Sequence, residues 1–90
     1  MQQKIAVLGA GESGIGAALL AKNKGYEVWV SDIGLIKQKY KDVLLHNDIA
    51  FEELNHNEEK ILSSNEIIKS PGIPDYANII SKCLNHNIPV

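Results

Sequence analysis

The sequence predicts an α/β domain in which a doubly wound, parallel five-stranded sheet carries helices on both faces. Short apolar runs typical of buried strands alternate with segments of helical periodicity along all 90 residues. Three glycines with G-x-G-x-x-G spacing follow the first apolar run, as in a tight strand-to-helix turn. Because strands separated by helices pair in parallel through right-handed crossovers, we expect the strand order 3-2-1-4-5.

Each element is predicted from its own periodicity. The predicted elements are, in order, strand 5–8, helix 15–24 with its opening near Ser13, strand 27–31, helix 37–47, strand 49–51, helix 58–63, strand 66–69, a helix from about Asp75 to about Asn85, and the first half of a strand at 88–90. The helix residues expected to face the core are Ile15, Ala18, Leu19, Tyr40, Val43, Leu44, Ile79, Ile80, Cys83 and Leu84.

Several turn and cap residues support these boundaries. Gly25 follows the first helix at the position where glycine commonly ends helices. Asn57 is placed to cap helix 58–63. Glu52 and Glu53 beside the short third strand indicate a sheet edge. Because residues 88–90 resemble the beginning of a strand, we expect this chain to be a domain cut from a longer protein.

The composition argues against several classes of function. The formal net charge of -2 gives no support for nucleic-acid binding. No apolar run reaches the roughly 18 residues of a membrane helix, and the first strand begins too early to leave room for a signal peptide. A single cysteine, Cys83, cannot form an internal disulfide, so we expect a cytoplasmic protein.

The sequence shows no set of residues for covalent chemistry. His46, His56 and His86 lie far apart and are expected at the surface, while Cys83 is expected in the core. No Ser/His/Asp set, carboxylate pair or metal-ligand cluster is visible. All nine basic residues are lysine, so the chain offers no bidentate arginine clamp for phosphate.

The glycine turn predicts a phosphate site. Gly9 permits the tight turn, Gly11 lets a phosphate approach the backbone, and Gly14 allows the helix to pack closely. The start of the helix adds free N–H groups and partial positive charge. We expect the Glu12 side chain to point to solvent, while Ser13 either caps the helix or donates to phosphate. The alternative is a tight turn that binds nothing.

Two further segments are expected to join this turn, because ligands of open parallel sheets bind at the carboxyl ends of strands. Asp32 ends the second strand and can accept a hydrogen bond from a ribose diol or a base N–H; the alternative is a solvated turn aspartate. In residues 70–73, Pro71 and Gly72 suit the middle of a type II turn that exposes the Gly72 N–H. Taken alone, this segment favours an ordinary turn.

The combination of Gly9-Ala10-Gly11-Glu12-Ser13-Gly14, Asp32 and Ser70-Pro71-Gly72-Ile73 resembles the N-terminal domain of the Mur ligases, most closely the members that add D-glutamate. The resemblance covers the whole chain. It implies a Rossmann-like domain that binds the UDP part of UDP-N-acetylmuramoyl-L-alanine in peptidoglycan biosynthesis. The substrate-binding residues that it implies are Gly11, Glu12, Ser13, Gly14, Asp32, Ile33 and Gly72.

Within that set, the resemblance implies that the N–H groups of Glu12 and Ser13 bind the diphosphate and that Asp32 accepts from the uracil. The family often has polar or basic residues after the aspartate, whereas this chain has Ile33, Gly34 and Leu35. The family's enzymes use ATP and Mg²⁺ to form an acyl phosphate that the amine of D-glutamate attacks. The family's Gly-Lys-Thr/Ser motif is absent here, so we expect this chain alone to be inactive and to hold no cofactor.

Two other functions remain open from the sequence. Gly9, Gly11, Gly14 and Asp32 also match the pattern of an NAD-binding domain of a dehydrogenase or an NAD sensor. A structural domain with a vestigial site is the third alternative. Residues 70–73 and the lack of a catalytic residue at the predicted site favour the ligase domain over the NAD-binding domain.

Overall fold

Strands and helices alternate strictly in the computed structural model, which describes residues 2–74 and 77–90. The elements are β1 (Lys4–Leu8), α1 (Glu12–Asn23), β2 (Glu27–Ser31), α2 (Gln38–His46), β3 (Ala50–Glu52), α3 (Glu58–Leu62), β4 (Glu66–Lys69) and α4 (Asn78–Asn85). The predicted boundaries agree closely with these. The expected start of the last helix at Asp75 lies outside the described residues.

The sheet is parallel and has the order β3-β2-β1-β4. This confirms the predicted α/β class and the first four positions of the predicted strand order. The predicted fifth strand is not among the elements of residues 2–74 and 77–90. Residues 88–90 nevertheless lie beside β4, where the Ile67 N–H donates to the Pro89 carbonyl oxygen at 2.8 Å. A complementary ladder bond from residue 89 would need an N–H, which proline lacks.

The sheet separates two hydrophobic cores, because successive side chains of a strand point to opposite faces. Ile5 and Val7 of β1 belong to the core under α1 and α2. Ala6 and Leu8 belong to the core under α3 and α4. Helices therefore cover both faces, and β1, buried on both sides, is a continuous apolar run.

Most predicted core residues are buried or partly buried, and Leu84 is the exception. Leu44 and Cys83 are fully buried, whereas the Leu84 side chain is 55% exposed. Leu84 lies beside Ile80 and Val90 at the outer edge of β4. It is exposed because none of the described elements covers that edge. No helix of the described residues is long and apolar enough to cross a membrane.

Candidate functional site

A cleft of about 660 Å³ opens at the carboxyl ends of β1, β2 and β4. Its walls include residues 9–11, residues 32–33 and residues from 70 to 73, so the three segments singled out in the sequence meet there. Asn55, His56 and Glu58 from the loop after β3 and the start of α3 also line it, as do Ala77, Asn78 and Ile79 around the start of α4. Neither of these last two groups was predicted.

The glycines of the turn have different structural roles. Gly9 has φ +98, and a Cβ there would lie 2.6 Å from the Ser70 Cβ. A Cβ on Gly14 would lie 1.8 Å from the Gly9 carbonyl oxygen, so α1 packs directly on the backbone of the turn. A Cβ on Gly11 would meet no atom within 4 Å. The space beside Gly11 is therefore open to a ligand, whereas the other two glycines are required by packing.

The start of α1 follows directly after Gly11 and presents unbonded N–H groups, although Glu12, Ser13 and Gly14 are not among the residues that line the cleft. Gly11 is the N-cap, and its carbonyl oxygen accepts from the Ile15 N–H at 2.9 Å. The N–H groups of Glu12, Ser13 and Gly14 have no acceptor among the described residues, as expected in a first helical turn. No side chain caps the helix, so Ser13 does not have the predicted capping role. The side chains of Glu12 and Ser13 are exposed.

Asp32 joins two of the three segments through its carboxylate. Its Oδ2 accepts from the Ala10 N–H at 2.8 Å, and its Oδ1 accepts from the Gly34 N–H at 2.9 Å. Asp32 is therefore half-buried and bonded rather than a solvated turn residue. Each carboxylate oxygen retains capacity for a second hydrogen bond, so Asp32 can still accept from a ligand.

The loop after β4 forms a hydrogen-bonded turn of a different type from the one predicted. The Ile73 N–H donates to the Ser70 carbonyl oxygen at 3.0 Å, which closes the turn. Gly72 does not have a positive φ, so the type II prediction is wrong. The Gly72 N–H donates instead to the Ser70 Oγ at 3.3 Å. This local side-chain acceptor stabilises a different backbone conformation.

A half-buried polar cluster centred on the buried Ser31 lies at the end of β2 beside the cleft. The Ser31 Oγ is 2.6 Å from the His56 Nδ1, 2.9 Å from the Glu52 Oε2 and 3.1 Å from the Asn55 carbonyl oxygen. The Glu52 Oε2 also accepts from the Trp29 indole N–H at 3.1 Å and the Asn57 backbone N–H at 2.7 Å. The structure thus makes His56 a half-buried residue of the cleft, in place of the predicted surface position.

Two acidic residues, Asp32 and Glu58, line the cleft, and its described lining contains no lysine. The Glu58 Oε1 is paired with the Lys82 Nζ at 2.5 Å.

Away from the cleft, the pKa of Glu53 is held below its ordinary value by Lys41, at 2.5 Å, and by the Ile36 N–H. Burial raises the pKa of the Cys83 thiol, which suits its predicted place in the core.

The cleft offers groups that can bind a ligand. No three His, Cys, Asp or Glu side chains of residues 2–74 and 77–90 are grouped to hold a metal ion. His46 and His86 are exposed. The open backbone at Gly11, the free N–H groups of α1 and the apolar walls can hold an anion joined to a flat or apolar group.

The sequence of this chain matches a known protein family. A family model described as the MurD N-terminal domain matches residues 4–79. Over 88 residues, the chain is 56% identical to the UDP-N-acetylmuramoylalanine–D-glutamate ligase of Bacteroides thetaiotaomicron, covering 98% of this chain and 20% of that protein. The ligase of the same name from Christiangramia forsetii is 52% identical over 90 residues, covering 100% and 20%.

A more distant curated relative and one solved structure also match this chain. The ligase of that name from Chlorobium phaeobacteroides is 38% identical over 88 residues, covering 98% of this chain and 19% of that protein. The crystal structure of a transhydrogenase from Sinorhizobium meliloti has a TM-score of 0.61 at 23% identity, covering 80% of this chain and 23% of that chain. This last likeness concerns the fold alone. The chain spans about one fifth of the length of its curated relatives, and it belongs to the MurD N-terminal domain family.

Proposed function

We propose that this chain binds the UDP part of UDP-N-acetylmuramoyl-L-alanine, as the N-terminal domain of a longer ligase that adds D-glutamate in peptidoglycan biosynthesis. The observation that carries the proposal is the cleft itself. The open glycine turn, Asp32 and the loop 70–73 line this cleft, and the start of α1 with its N–H groups follows directly after the turn. The curated relatives are D-glutamate ligases over the same segment.

In this proposal the diphosphate is bound by backbone groups. Gly11 provides the space, and Glu12, Ser13 and Gly14 provide N–H donors at the positive end of α1. No lysine of the described cleft lining competes for that role. Gly72, which lines the opposite wall, lies close to the same group.

The uridine is bound toward β2. Asp32 accepts from the nucleoside with lone pairs that its two protein bonds leave free. Ile33, whose side chain is 66% exposed at the wall of the cleft, provides an apolar surface for the base. At this position an apolar contact with the base takes the place of the polar contacts that the family's polar or basic residues can make.

The remaining steps belong to parts of the longer protein. There, ATP and Mg²⁺ activate the substrate carboxylate as an acyl phosphate, and the amine of D-glutamate attacks it in the cytoplasm. In the longer chain we propose that residues 88–90 continue as a fifth strand beside β4, which completes the order 3-2-1-4-5. The bond from the Ile67 N–H to the Pro89 carbonyl oxygen supports this placement.

An NAD-binding domain is the second candidate, because Gly9, Gly11, Gly14 and Asp32 satisfy that pattern. NAD has a second nucleoside that must cross the sheet to a further half-site beyond β4. A uridine diphosphate requires only the turn, Asp32 and the loop 70–73. We therefore expect uridine ligands to bind better than NAD.

The test is a titration of ¹⁵N-labelled chain with UDP, UDP-N-acetylmuramoyl-L-alanine and NAD, followed by amide chemical shifts. We expect the uridine ligands to shift Gly11, Ser13, Asp32 and Gly72, while Gly25 at the opposite end of the sheet is unchanged. The titration must extend to millimolar ligand, since a millimolar Kd corresponds to only about -4 kcal/mol. Tighter binding of NAD at the same residues would favour the second candidate and contradict the proposal.

A further inference from the structure

The Ser31–Glu52–His56 cluster fixes the tautomer of a histidine in the cleft. The Ser31 hydroxyl has one proton and three close neighbours. The Glu52 carboxylate and the Asn55 carbonyl oxygen can only accept. If the hydroxyl proton pointed at His56, the Ser31 and Glu52 oxygens would face each other at 2.9 Å without a proton between them.

In the favourable arrangement, each group of the chain from His56 through Ser31 to Glu52 donates to the next. The His56 Nδ1–H donates to the Ser31 Oγ, and the Ser31 O–H donates to the Glu52 Oε2. Glu52 is held in place by the N–H groups of Trp29 and Asn57, which donate to the same oxygen. The neutral imidazole therefore has its proton on Nδ1, and its Nε2 carries a lone pair.

The Nε2 atom is the only polar atom of this imidazole without a hydrogen-bond partner among residues 2–74 and 77–90. It lies on the far side of the ring from the buried Ser31, and His56 lines the cleft. An acceptor at this position suits a ligand group that donates. It does not suit a phosphate oxygen, which can only accept.

The sheet order indicates which end of the ligand lies there. The glycine turn that suits the diphosphate follows β1, while His56 follows β3 at the other side of β2. His56 is bonded to Ser31, the last residue of β2, and Asp32 follows directly. His56 and Asp32 thus flank the nucleoside end of the cleft.

We propose that His56 is a nucleoside-contacting residue, whose Nε2 accepts a hydrogen bond from a donor of the nucleoside. Two donors have this chemistry in a uridine ligand, a ribose hydroxyl and the uracil N3–H. The inference rests on the proposed function, because it takes the uridine to lie in this cleft. The hydrogen bonds of Ser31 and Glu52 then hold the ring in position for the contact.

The variant His56→Asn tests the contact, because the asparagine amide places an N–H near the position of Nδ1 and removes Nε2. We expect it to retain the Ser31 bond and the thermal stability of the chain. We expect UDP affinity to fall roughly three- to tenfold, the effect of one hydrogen bond. His46→Asn, at an exposed position of α2, is the matched control and should bind UDP like the unmodified chain.

Two UDP analogues identify the donor. The loss caused by His56→Asn should disappear with either N3-methyl-UDP or 2′-deoxy-UDP, whichever lacks the group that His56 contacts. Equal UDP affinity of the unmodified chain and His56→Asn would overturn the inference and leave the proposed function intact. An undiminished loss with both analogues would also overturn it. Absence of UDP binding to the unmodified chain at millimolar concentration would overturn the proposed function itself.

The tautomer provides a test that needs no ligand and no variant. Long-range ¹H–¹⁵N spectra of the imidazole in alkaline buffer distinguish a ring protonated on Nδ1 from one protonated on Nε2. We expect His56 to have the Nδ1–H form. An Nε2–H form would contradict the inference whatever the outcome of the UDP titrations.

Discussion

At the residue scale, Gly11 and Gly14 are separated by two residues but have opposite surroundings. A side chain on Gly11 would extend into open space beside the free N–H groups of α1, at a backbone φ of -84 that every residue tolerates. A side chain on Gly14 would collide with the backbone of the turn. The first glycine leaves room for a ligand, and the second leaves room for the protein itself.

Gly11→Val should therefore weaken UDP binding while the domain stays folded. The valine side chain would occupy the proposed phosphate space, at a cost to binding of about 1–3 kcal/mol by analogy with overpacking. The stability cost should stay within about 1 kcal/mol, from the lower N-cap preference of valine. Calorimetric affinity and thermal unfolding measure the two effects.

Gly14→Ala is the matched control for this prediction. Its Cβ would force the Gly9 carbonyl oxygen to move, so it should lower the free energy of unfolding by at least about 1–3 kcal/mol. Unchanged UDP affinity in Gly11→Val would show that the space beside Gly11 has no role in binding. A stable Gly14→Ala would contradict the packing argument.

Residues with a local signal were predictable from the sequence, and residues with distant partners were not. The spacing of Gly9 and Gly14 predicted their structural roles. The sequence singled out Asp32, which lines the cleft, but its bond to the Ala10 N–H joins positions far apart in the chain. His56 gave no signal, because its partner Ser31 lies 25 positions earlier. The conformation of Gly72 depends on a hydrogen bond to the Ser70 hydroxyl. The type II prediction rested on the Pro-Gly pair alone and did not consider this acceptor.

At the element scale, Glu53 connects the end of β3 to the segment that precedes α2 and to α2 itself. Its Oε1 accepts from the Ile36 N–H at 2.9 Å, and its Oε2 is paired with Lys41 at 2.5 Å. The backbone adds a bond from the Leu54 N–H to the Gly34 carbonyl oxygen at 3.0 Å. These contacts hold the loop that follows Asp32, and thus one wall of the cleft.

This pairing predicts a defined acid sensitivity. The pKa of Glu53 is lowered in the folded state by Lys41 and by the Ile36 N–H. Ionised Glu53 therefore stabilises the fold at pH values above 4.5, the ordinary pKa of a glutamate. That contribution is lost as the pH falls below 4.5 through the lower folded pKa. Glu53→Gln should therefore lose less unfolding free energy on acidification than the unmodified chain, as measured by urea unfolding at neutral and acidic pH.

Lys41→Met offers an independent check on the same contact. It removes the partner charge, so the pKa of Glu53 should return toward its ordinary value and the acid sensitivity should again diminish. If both variants kept the acid response of the unmodified chain, the Glu53 pairing would not contribute to stability. The unfolding free energy of each variant is measured at both pH values. The change on acidification is thereby separated from any loss of stability at neutral pH.

The element bounds were largely predictable because helix and strand periodicity is local. The helices α1 and α2 and the strands β1, β2 and β4 agree closely with their predicted ranges. Leu84 shows where the pattern fails: it continues the apolar stripe of α4, but its burial depends on what lies beyond β4. Periodicity identifies the apolar face of a helix, but it does not show whether another element packs against that face.

At the scale of the whole molecule, this chain corresponds to about one fifth of its curated relatives. It lacks a Gly-Lys-Thr/Ser loop, and no three His, Cys, Asp or Glu side chains of the described residues are grouped to hold a metal ion. We expect the purified chain to hydrolyse no ATP in the presence of Mg²⁺. A phosphate-release assay measures this, and Mg²⁺-dependent turnover that a point substitution in this chain abolished would contradict it.

The bond between the Trp29 indole and Glu52 has a practical consequence. Trp29 is the only tryptophan of the sequence, so the intrinsic indole emission of the chain comes from this one site. Its N–H donates to the Glu52 oxygen that also accepts from Ser31, and the Lys60 ammonium lies 4.5 Å from its ring centroid. The Trp29 indole is thus linked to the imidazole of His56 by three hydrogen bonds in series, by way of Glu52 and Ser31. We expect a shift of that imidazole to change the electric field at the indole, so that the emission spectrum reports on the cleft.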